Sequence, residues 1–479
     1  MAKIAFIQEE IRERFGVMIL SAVLKNGGHK CEVFIEKNNK NFIEEVKNYQ
    51  PDIIAFSTMT PGIKIALDFA SRLRKVSDGY IIMGGPHPTF YPEVINEDCL
   101  DIICRGEGEY ALLELADRLD GKREFTDIKN LWVKKDGNIY KNELRELADV
   151  EQLPRYDWSL YYEKYPELKA ALTKKIFIVR GCPFNCTYCF NQAMQKMSEG
   201  KGKYVRFMSV DKAISEIKYL KDQYGMKWLQ INGDTINVYR DWFMEFLDRY
   251  KKEINVPFLC NVRIDLVDEE MVKKMKWAGC DRADYGIEHG DEEIRRKVLN
   301  RFMTDEQIIN GGRLFNKYKI RVHTANIIGL PHETISTAWK TIEINRKVKP
   351  ERAMCFILQP YPGTEINRYS IEAGFLDRNY GFSNSGTGFQ IDFDGSKEAM
   401  PLKLKDEKKL INIFYFFDLL VQIPWLEKLV KLLINLPPNR FFKAVYVFPV
   451  IRQDIKYSNS LRKKIESLLK LVKIIFFGK

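Results

Sequence analysis

No run of about 18 uncharged apolar residues, the length that a membrane-spanning helix needs, occurs in this chain of 479 residues. The opening MAKIAFIQEE also lacks the basic and then apolar order of a signal peptide, so the chain reads as cytosolic. Thiols stay reduced in that compartment, which excludes a disulfide framework for the nine cysteines. Six of them, Cys31, Cys99, Cys104, Cys260, Cys280 and Cys355, have no close spacing and read mostly as small core residues. No GxGxxG follows the first predicted strand, which disfavours a nicotinamide cofactor. Acidic residues are scarce at one end: residues 401–479 carry 16 Lys or Arg against 6 Asp or Glu, a net +10 of the chain's +11. The nearly neutral remainder argues against a nucleic-acid-binding body and leaves the tail to meet an acidic partner, an RNA or an anionic membrane surface.

With 45% hydrophobic and 29% charged residues, the chain can bury large cores and should divide into two or three domains. Sulfur is concentrated in one stretch, Arg180 to Asn191, RGCPFNCTYCFN, where Cys182, Cys186 and Cys189 form a CxxxCxxC spacing. Three thiolates on a short loop with Gly181 and Pro183 can turn inward on one soft-metal centre. A zinc knuckle would recruit a fourth ligand at similar spacing, and none lies nearby in the sequence. A four-iron cluster held by three cysteines keeps one iron open to another ligand.

Ahead of this loop, short apolar runs alternate with helical patterns. KIAFI, CEVFIE, PDIIAFSTM, YIIMGGP and LDIICRGEGE read as strands; Ile11–Asn26, Asn41–Tyr49, Ile63–Val76, a short piece near Pro92 and a stretch from Tyr110 read as helices. The alternation predicts a doubly wound parallel sheet whose ligand lies beyond the strands' carboxyl ends. Small and polar residues gather there: Ser57-Thr58-Met59-Thr60, Gly84-Gly85-Pro86-His87 and Arg105-Gly106-Glu107-Gly108-Glu109. Glycine at such ends lets a bulky ligand approach the backbone, although it also serves simply to make a turn. His29, after Gly27-Gly28, reads as a turn residue. LWVKKDGNIY reads as a hairpin around Asp136-Gly137 within a connector that ends at LPRYDW.

KIFIVR delivers the cysteine loop from a strand, and MKWLQINGD, VPFLCNVR, RADYGIEHG, RVHTANIIGLP and RAMCFILQPYPGT follow as strands ending in Gly, Asn or acidic residues. Six βα units suit a partial barrel with its site at the strand C-termini. Asn261 and Arg263 end one strand, and Glu288 ends the next. His289, His323 and His332 are either proton donors or satisfied structural residues.

The cysteine loop resembles that of the radical S-adenosylmethionine superfamily, and GGPHPTFYPEVI and DIICRGEGE resemble the cobalamin-binding domain found ahead of some radical enzymes. The resemblance covers most of residues 1–400. It implies an N-terminal Rossmann-like cobalamin-binding domain over 1–125, a linker over 126–170 and a partial (β/α)6 barrel over 171–370. A lid and mainly helical C-terminal region over 371–479 would complete an α/β chain. It further implies that Cys182, Cys186 and Cys189 hold a 4Fe-4S cluster whose fourth iron is chelated by S-adenosylmethionine, with Tyr188 near the adenine. Gly233-Asp234 takes the place of the family's glycine-rich turn for the methionyl amine, reading NGDT rather than GGE. Glu288 matches an acidic position that meets the cosubstrate, Arg263 lies at a neighbouring strand end, and Gly329 and Pro331 open a turn beside the adenine. Ser57, Thr58, Gly84, Gly85 and Glu107 become cobalamin contacts. The DxHxxG signature is absent, IQEEIRERFG standing at the first loop, which implies cobalamin without a protein histidine on cobalt.

The implied reaction is methylation of an unactivated carbon or phosphorus: one S-adenosylmethionine methylates cob(I)alamin, a second yields a 5'-deoxyadenosyl radical, and the substrate radical takes methyl from methylcobalamin. Implied partners are a small-molecule or lipid-like substrate and an electron donor such as flavodoxin or ferredoxin. The alternatives are ring formation or rearrangement without net methyl transfer, a radical enzyme whose N-terminal domain is a regulatory module without corrinoid, and a purely structural cluster or zinc protein. In the tail, Tyr369–Ser396 reads as a loop-rich lid and Leu410–Val421 and Trp425–Leu436 as apolar helices. Leu461, Ile465, Leu468, Leu469, Val472 and Ile475 fall along one helical face with Arg462, Lys463, Lys470 and Lys473 around it. That pattern packs on the barrel or lies on an anionic membrane. Cys186→Ala is expected to abolish reductive cleavage of S-adenosylmethionine, followed as 5'-deoxyadenosine by chromatography; cleavage that survives the substitution removes the radical mechanism.

Overall fold

The computed structural model describes residues 1–37, 39–381 and 400–457. They form two compact units, Met1–Pro183 with Ala193–Asp234, and Phe184–Gln192 with Thr235 onward.

In the first unit, strands β1 (Lys3–Gln8), β2 (Lys30–Ile35), β3 (Ile53–Ser57), β4 (Tyr80–Gly84), β5 (Ile102–Cys104), β6 (Leu131–Lys135) and β7 (Asn138–Lys141) form one sheet. Its order is β2-β1-β3-β4-β5-β6-β7. The first five strands are parallel. Their apolar runs are buried throughout, with Ile4, Ile53, Ile54, Ile81 and Ile102 fully so. Each such side chain contributes about 1.5–3 kcal/mol relative to exposure. Helices Phe15–Asn26, Phe42–Tyr49, Ile63–Arg74 and Glu109–Asp120 connect the strands. Strand order reverses between β1 and β3, where a doubly wound sheet opens a crevice for ligand.

Local structure departs from the sequence reading in several places. The first helix starts at Phe15, not Ile11, because Arg14 is extended and the Gln8 side-chain amide donates to the carbonyls of Glu10 and Arg12, holding this stretch as a loop. The piece near Pro92 is a 3-10 turn, Pro92–Asn96, preceded by a short helix, Pro86–Phe90. The hairpin turns at Asp136 and Gly137, both at positive φ, as a two-residue primed turn requires. Its first strand pairs antiparallel with β5 and so extends the sheet. His29 is more than a turn residue: its ring accepts the Ala2 N–H and pairs with Asp117 at 3.0 Å.

KIFIVR divides into two strands. β8 (Thr173–Phe177) pairs in parallel with the later strand Trp228–Asn232, and β9 (Val179–Arg180) pairs antiparallel with β10 (Arg206–Phe207). Trp228–Asn232 is β11. In the second unit β12 (Phe258–Asn261), β13 (Cys280–Glu288), β14 (Arg321–Ile328) and β15 (Arg352–Ile357) pair in parallel in that order. With β8 and β11 they supply the six parallel strands of a partial barrel, alternating with helices such as Arg240–Glu253, Asp305–Lys317 and Ile335–Val348.

The C-terminal region is helical where it is described: Glu407–Gln422, Glu427–Leu433 and Arg440–Tyr457. Trp425–Leu436 is not one helix, since Pro424 starts a 3-10 turn, Pro424–Leu426, before the α-helix begins. Tyr369 belongs to the helix Glu365–Glu372 rather than to a loop. The greater part of the expected lid, 382–396, and the amphipathic pattern over 461–475 lie outside the described residues.

Candidate active site

The crevice at the β1/β3 reversal is a cavity of about 710 Å³ within the first unit. Ser57, Met59, Gly84, Gly85, Gly106 and Glu107 line it, together with residues that sequence reasoning missed, among them Arg14, Tyr156, Phe177, Gln230 and Asn232. Gly85 sits at φ +96, and a Cβ there would lie 2.8 Å from the Thr58 nitrogen, so only glycine lets these two strand ends approach. Thr58 is not among the lining residues: its N–H donates to Gly84 O and its carbonyl accepts from His87 N, so it shapes the turn from behind. Burial pushes the His87 imidazole down to about 4, leaving it neutral, in contact with Thr60 Oγ1 at 3.2 Å.

Glu107 lines the cavity, yet its carboxylate is already engaged. It accepts from Arg180 Nη1 at 3.0 Å, from Arg206 Nη1 and Nη2 at 2.9 and 2.7 Å, and from Ala148 N at 2.8 Å. Arg180 also donates to Glu109 at 2.6 Å. Burial alone would raise the Glu107 pKa, but the hydrogen bond from Arg206 and the two guanidinium charges hold it down to about 2. Arg180 is followed directly by Gly181, at φ +81, whose missing Cβ would stand 2.6 Å from the Tyr204 carbonyl oxygen. This network therefore fixes the strand from which the cysteine loop departs.

All nine cysteines are free thiols. Cys182 lies at the end of the first unit's main segment, and Cys186 and Cys189 belong to the second unit. Among the described residues no three His, Cys, Asp or Glu side chains converge on a point as a single tetrahedral ion requires. A four-iron cube holds its thiolates farther apart, and the donor set of three thiols in eight residues suits it. The loop is anchored within the second unit by Thr187, whose N–H donates to Leu299 O and whose hydroxyl donates to Val298 O at 2.6 Å.

Around Cys186 the second unit gathers a buried polar group. Arg301 Nη1 lies 3.8 Å from Cys186 Sγ and 3.3 Å from the Tyr188 hydroxyl, while Nη2 donates to Gly286 O at 2.6 Å. Its Nε is buried with no partner among the described residues, a donor left for a ligand. Glu288 stands 3.9 Å from Arg301. Burial raises the Glu288 pKa, against the pull of Arg301, a hydrogen bond from Tyr188 and the charge of Arg263. Glu288 has φ 67, an unusual backbone for glutamate, at a register shift after Gly286. A Cβ on Gly286 would collide with the Glu288 carboxylate, so the glycine makes room for it. Arg301 left no signal in the sequence beyond its charge, because its neighbours come from two segments distant in the chain, Cys186–Tyr188 and Gly286–Glu288.

The other expected contacts vary. Arg263 stacks on Phe184, its guanidinium carbon 3.6 Å from the ring centroid, and pairs with Asp265 at 2.8 Å. Asn261 ends β12, and its carbonyl accepts from Ile236 N. Gly233 and Asp234 follow β11 at the limit of the first unit. Gly329, at φ +86, has its N–H taken by the Glu333 carboxylate, and a Cβ there would sit 2.9 Å from Met400 Sδ. The histidines read as structural. His289 accepts from Asp291 N and contacts Glu333 at 3.1 Å, fully buried. Burial and then Arg282 push His323 down to about 4. His332 contacts the Tyr369 hydroxyl at 2.7 Å.

A B12 binding domain model matches residues 11–116, and a radical SAM superfamily model matches residues 176–344. The chain is a cobalamin-binding radical S-adenosylmethionine enzyme. Its cofactors are accordingly cobalamin, a 4Fe-4S cluster and S-adenosylmethionine. The glycine-cradled cavity, the orphaned Arg14 Nε beside it and the free thiol triad fit these groups. An uncharacterized methyltransferase of Pyrococcus horikoshii is 28% identical over 78% of this chain and 79% of its own length. The anaerobic magnesium-protoporphyrin IX monomethyl ester cyclase of Rubrivivax gelatinosus is 26% identical over 73% of this chain and 65% of its own. The fold is shared with the radical S-adenosylmethionine methyltransferase TsrM from Kitasatospora setae, at TM-score 0.71 and 14% identity over 98% of this chain and 99% of that one. It is shared also with the cobalamin-dependent radical enzyme OxsB, at TM-score 0.67 and 16% identity over 99% of this chain and 76% of that one.

Glu107→Gln is expected to cost this radical enzyme about 2 kcal/mol in urea unfolding at pH 7, because it leaves two partly buried guanidinium groups short of their counter-charge. A carboxylate held at about 2 in the fold stabilises fully above its ordinary 4.5, and this contribution is lost as the pH falls towards 2. Stability should thus fall more steeply below pH 4.5 in the wild type than in the variant, and equal slopes would contradict the account.

Proposed function

We propose that the enzyme is a methyltransferase acting on an unactivated carbon. What supports the reading is the pairing, in one chain, of a glycine-cradled cavity of about 710 Å³ at the strand ends with a triad of free thiols. The methyltransferase relative from Pyrococcus horikoshii adds to it. The cofactors, when bound, supply hydrogen abstraction by a 5'-deoxyadenosyl radical and a methyl group carried on cobalt.

The chain's own residues then bind and orient. Cys182, Cys186 and Cys189 hold the cluster. In the second unit Tyr188, Glu288, Arg263 and Gly329 would hold S-adenosylmethionine, and Arg301 would join them through its unpartnered Nε; in the first unit Gly233 and Asp234 are the candidates for the methionyl amine. Glu288 is held in its strained backbone by the surrounding packing, so its carboxylate is positioned before any ligand arrives. Ser57, Gly84 and Gly85 receive the corrinoid directly; Thr58 and Glu107 support it, one through the turn and the other through Arg180 and Arg206. The substrate is a small or lipid-like molecule, and a flavodoxin or ferredoxin supplies electrons.

The resemblance to a cyclase of Rubrivivax gelatinosus favours one competing outcome, ring formation without net methyl transfer. Anaerobic turnover in a metabolite and lipid extract with S-adenosylmethionine labelled at its methyl group separates the two. The reading predicts a product that carries the intact label, formed together with both 5'-deoxyadenosine and S-adenosylhomocysteine. A product without label, formed with 5'-deoxyadenosine alone, would overturn it. Glu288→Gln should weaken S-adenosylmethionine binding about tenfold by calorimetry, the loss of a charge-assisted contact; unchanged affinity removes Glu288 from that role.

A further inference from the structure

Among the described residues, the C-terminal helices of the second unit have one face packed on the core and one that meets no other element. Helix Glu407–Gln422 is buried over most of its length, with Leu410, Ile413, Phe414 and Phe417 in a core shared with Ile328, Ala338 and Ile342. The pieces that follow dock on that core through Val430, Ile434 and Phe442, with Phe416 and Phe442 rings 4.8 Å apart and Phe414 and Tyr446 rings 4.4 Å apart. Outward, Trp425 is 78% exposed, Leu429 52%, Leu432 71%, Leu436 50% and Phe441 60%. Leu429 and Leu432 stand out from the helix Glu427–Leu433, and Trp425 in the 3-10 turn before it and Leu436 just after it add to an exposed patch too large and too apolar for an ordinary solvated face.

Charge identifies what covers it. Lys428, Lys431 and Arg440 are exposed among these apolar residues. The one acidic residue from Pro424 to Lys443, Glu427, is neutralised by Arg346 at 2.6 Å and Lys431 at 2.6 Å. The sequence beyond Tyr457 adds Arg462, Lys463, Lys464, Lys470, Lys473 and Lys479 against Glu466 alone. Lysine is depleted from protein–protein interfaces, whereas lysines around a leucine and tryptophan stripe are the composition of helices that lie on anionic bilayers, stems buried and ammonium groups among the phosphates. Among the described residues no helix is long and apolar enough to cross a membrane, so a surface seat is the form such contact takes.

We propose that the outward face formed by Trp425, Leu429, Leu432, Leu436 and Phe441, with Lys428, Lys431 and Arg440, docks the enzyme on an anionic membrane surface. It stands apart from the methyl-transfer reading and survives that reading's failure.

The test is co-sedimentation of the full chain, prepared anaerobically, with sucrose-loaded vesicles of phosphatidylcholine alone or mixed equally with phosphatidylglycerol. Binding to the anionic vesicles, weakened by salt, is expected, with Leu429→Ser/Leu432→Ser binding at least about tenfold less while still cleaving S-adenosylmethionine. A Trp425→Phe variant should bind like wild type yet lose part of the fluorescence blue shift seen on vesicle addition. No binding, equal binding to both vesicle types, or equal binding of wild type and the double serine variant overturns the proposal. So does a wild-type dimer that the serine substitutions dissociate, since the face would then join two copies.

Discussion

The ion network centred on Glu107 is the constraint on which the first unit's two tasks depend. One partly buried carboxylate receives two arginines, Arg180 and Arg206, from either side of the cysteine loop in sequence, and a backbone N–H from Ala148. Drawing three charges partly out of water is unfavourable unless each finds its counterpart, and here geometry supplies it: Arg180 has a second carboxylate in Glu109. The consequence is mechanical. Glu107 and Arg180 both line the cavity at the β1/β3 reversal, and Arg180 is the residue before Gly181 and Cys182. The wall of that cavity and the root of the cysteine loop are held by the same carboxylate.

A comparable economy governs the second unit. Arg301 reaches a cluster cysteine, the Tyr188 hydroxyl and the Gly286 carbonyl at once, and Glu288 is turned towards it by a backbone conformation that few glutamates adopt. Gly286 leaves room for the carboxylate, which any side chain there would displace from its place beside Arg301. Such strain persists where the surroundings over-determine it, which fits a site that holds a ligand of fixed shape.

The periodicity of apolar residues made the fold legible: KIAFI, PDIIAFSTM and YIIMGGP form buried parallel strands because their central runs, Ile4–Ile7, Ile53–Phe56 and Ile81–Met83, are apolar on both faces and can meet helices on either side. CxxxCxxC pointed to a cluster from the sequence alone, since ligand spacing on a single loop is local. What escaped was long-range. Glu107 could be placed at a strand end, but nothing in its neighbours announces Arg206, 99 positions away. Arg301 sits 113 positions from Tyr188 for the same reason. Thr58, Gly329 and His289 matched their motifs or positions but were found committed to turns and caps, a distinction that needs hydrogen-bond partners and not residue types. KIFIVR read as one strand because apolar alternation does not mark the break between two sheets.

The central claim is that one chain carries a corrinoid and an iron-sulfur cluster together. Metal analysis of the anaerobically reconstituted, desalted protein tests it most directly. The account predicts about one cobalt and about four iron atoms per chain, the iron lost in the Cys182, Cys186 and Cys189 triple alanine variant. Protein that retains four iron atoms but no cobalt after incubation with cobalamin would contradict it.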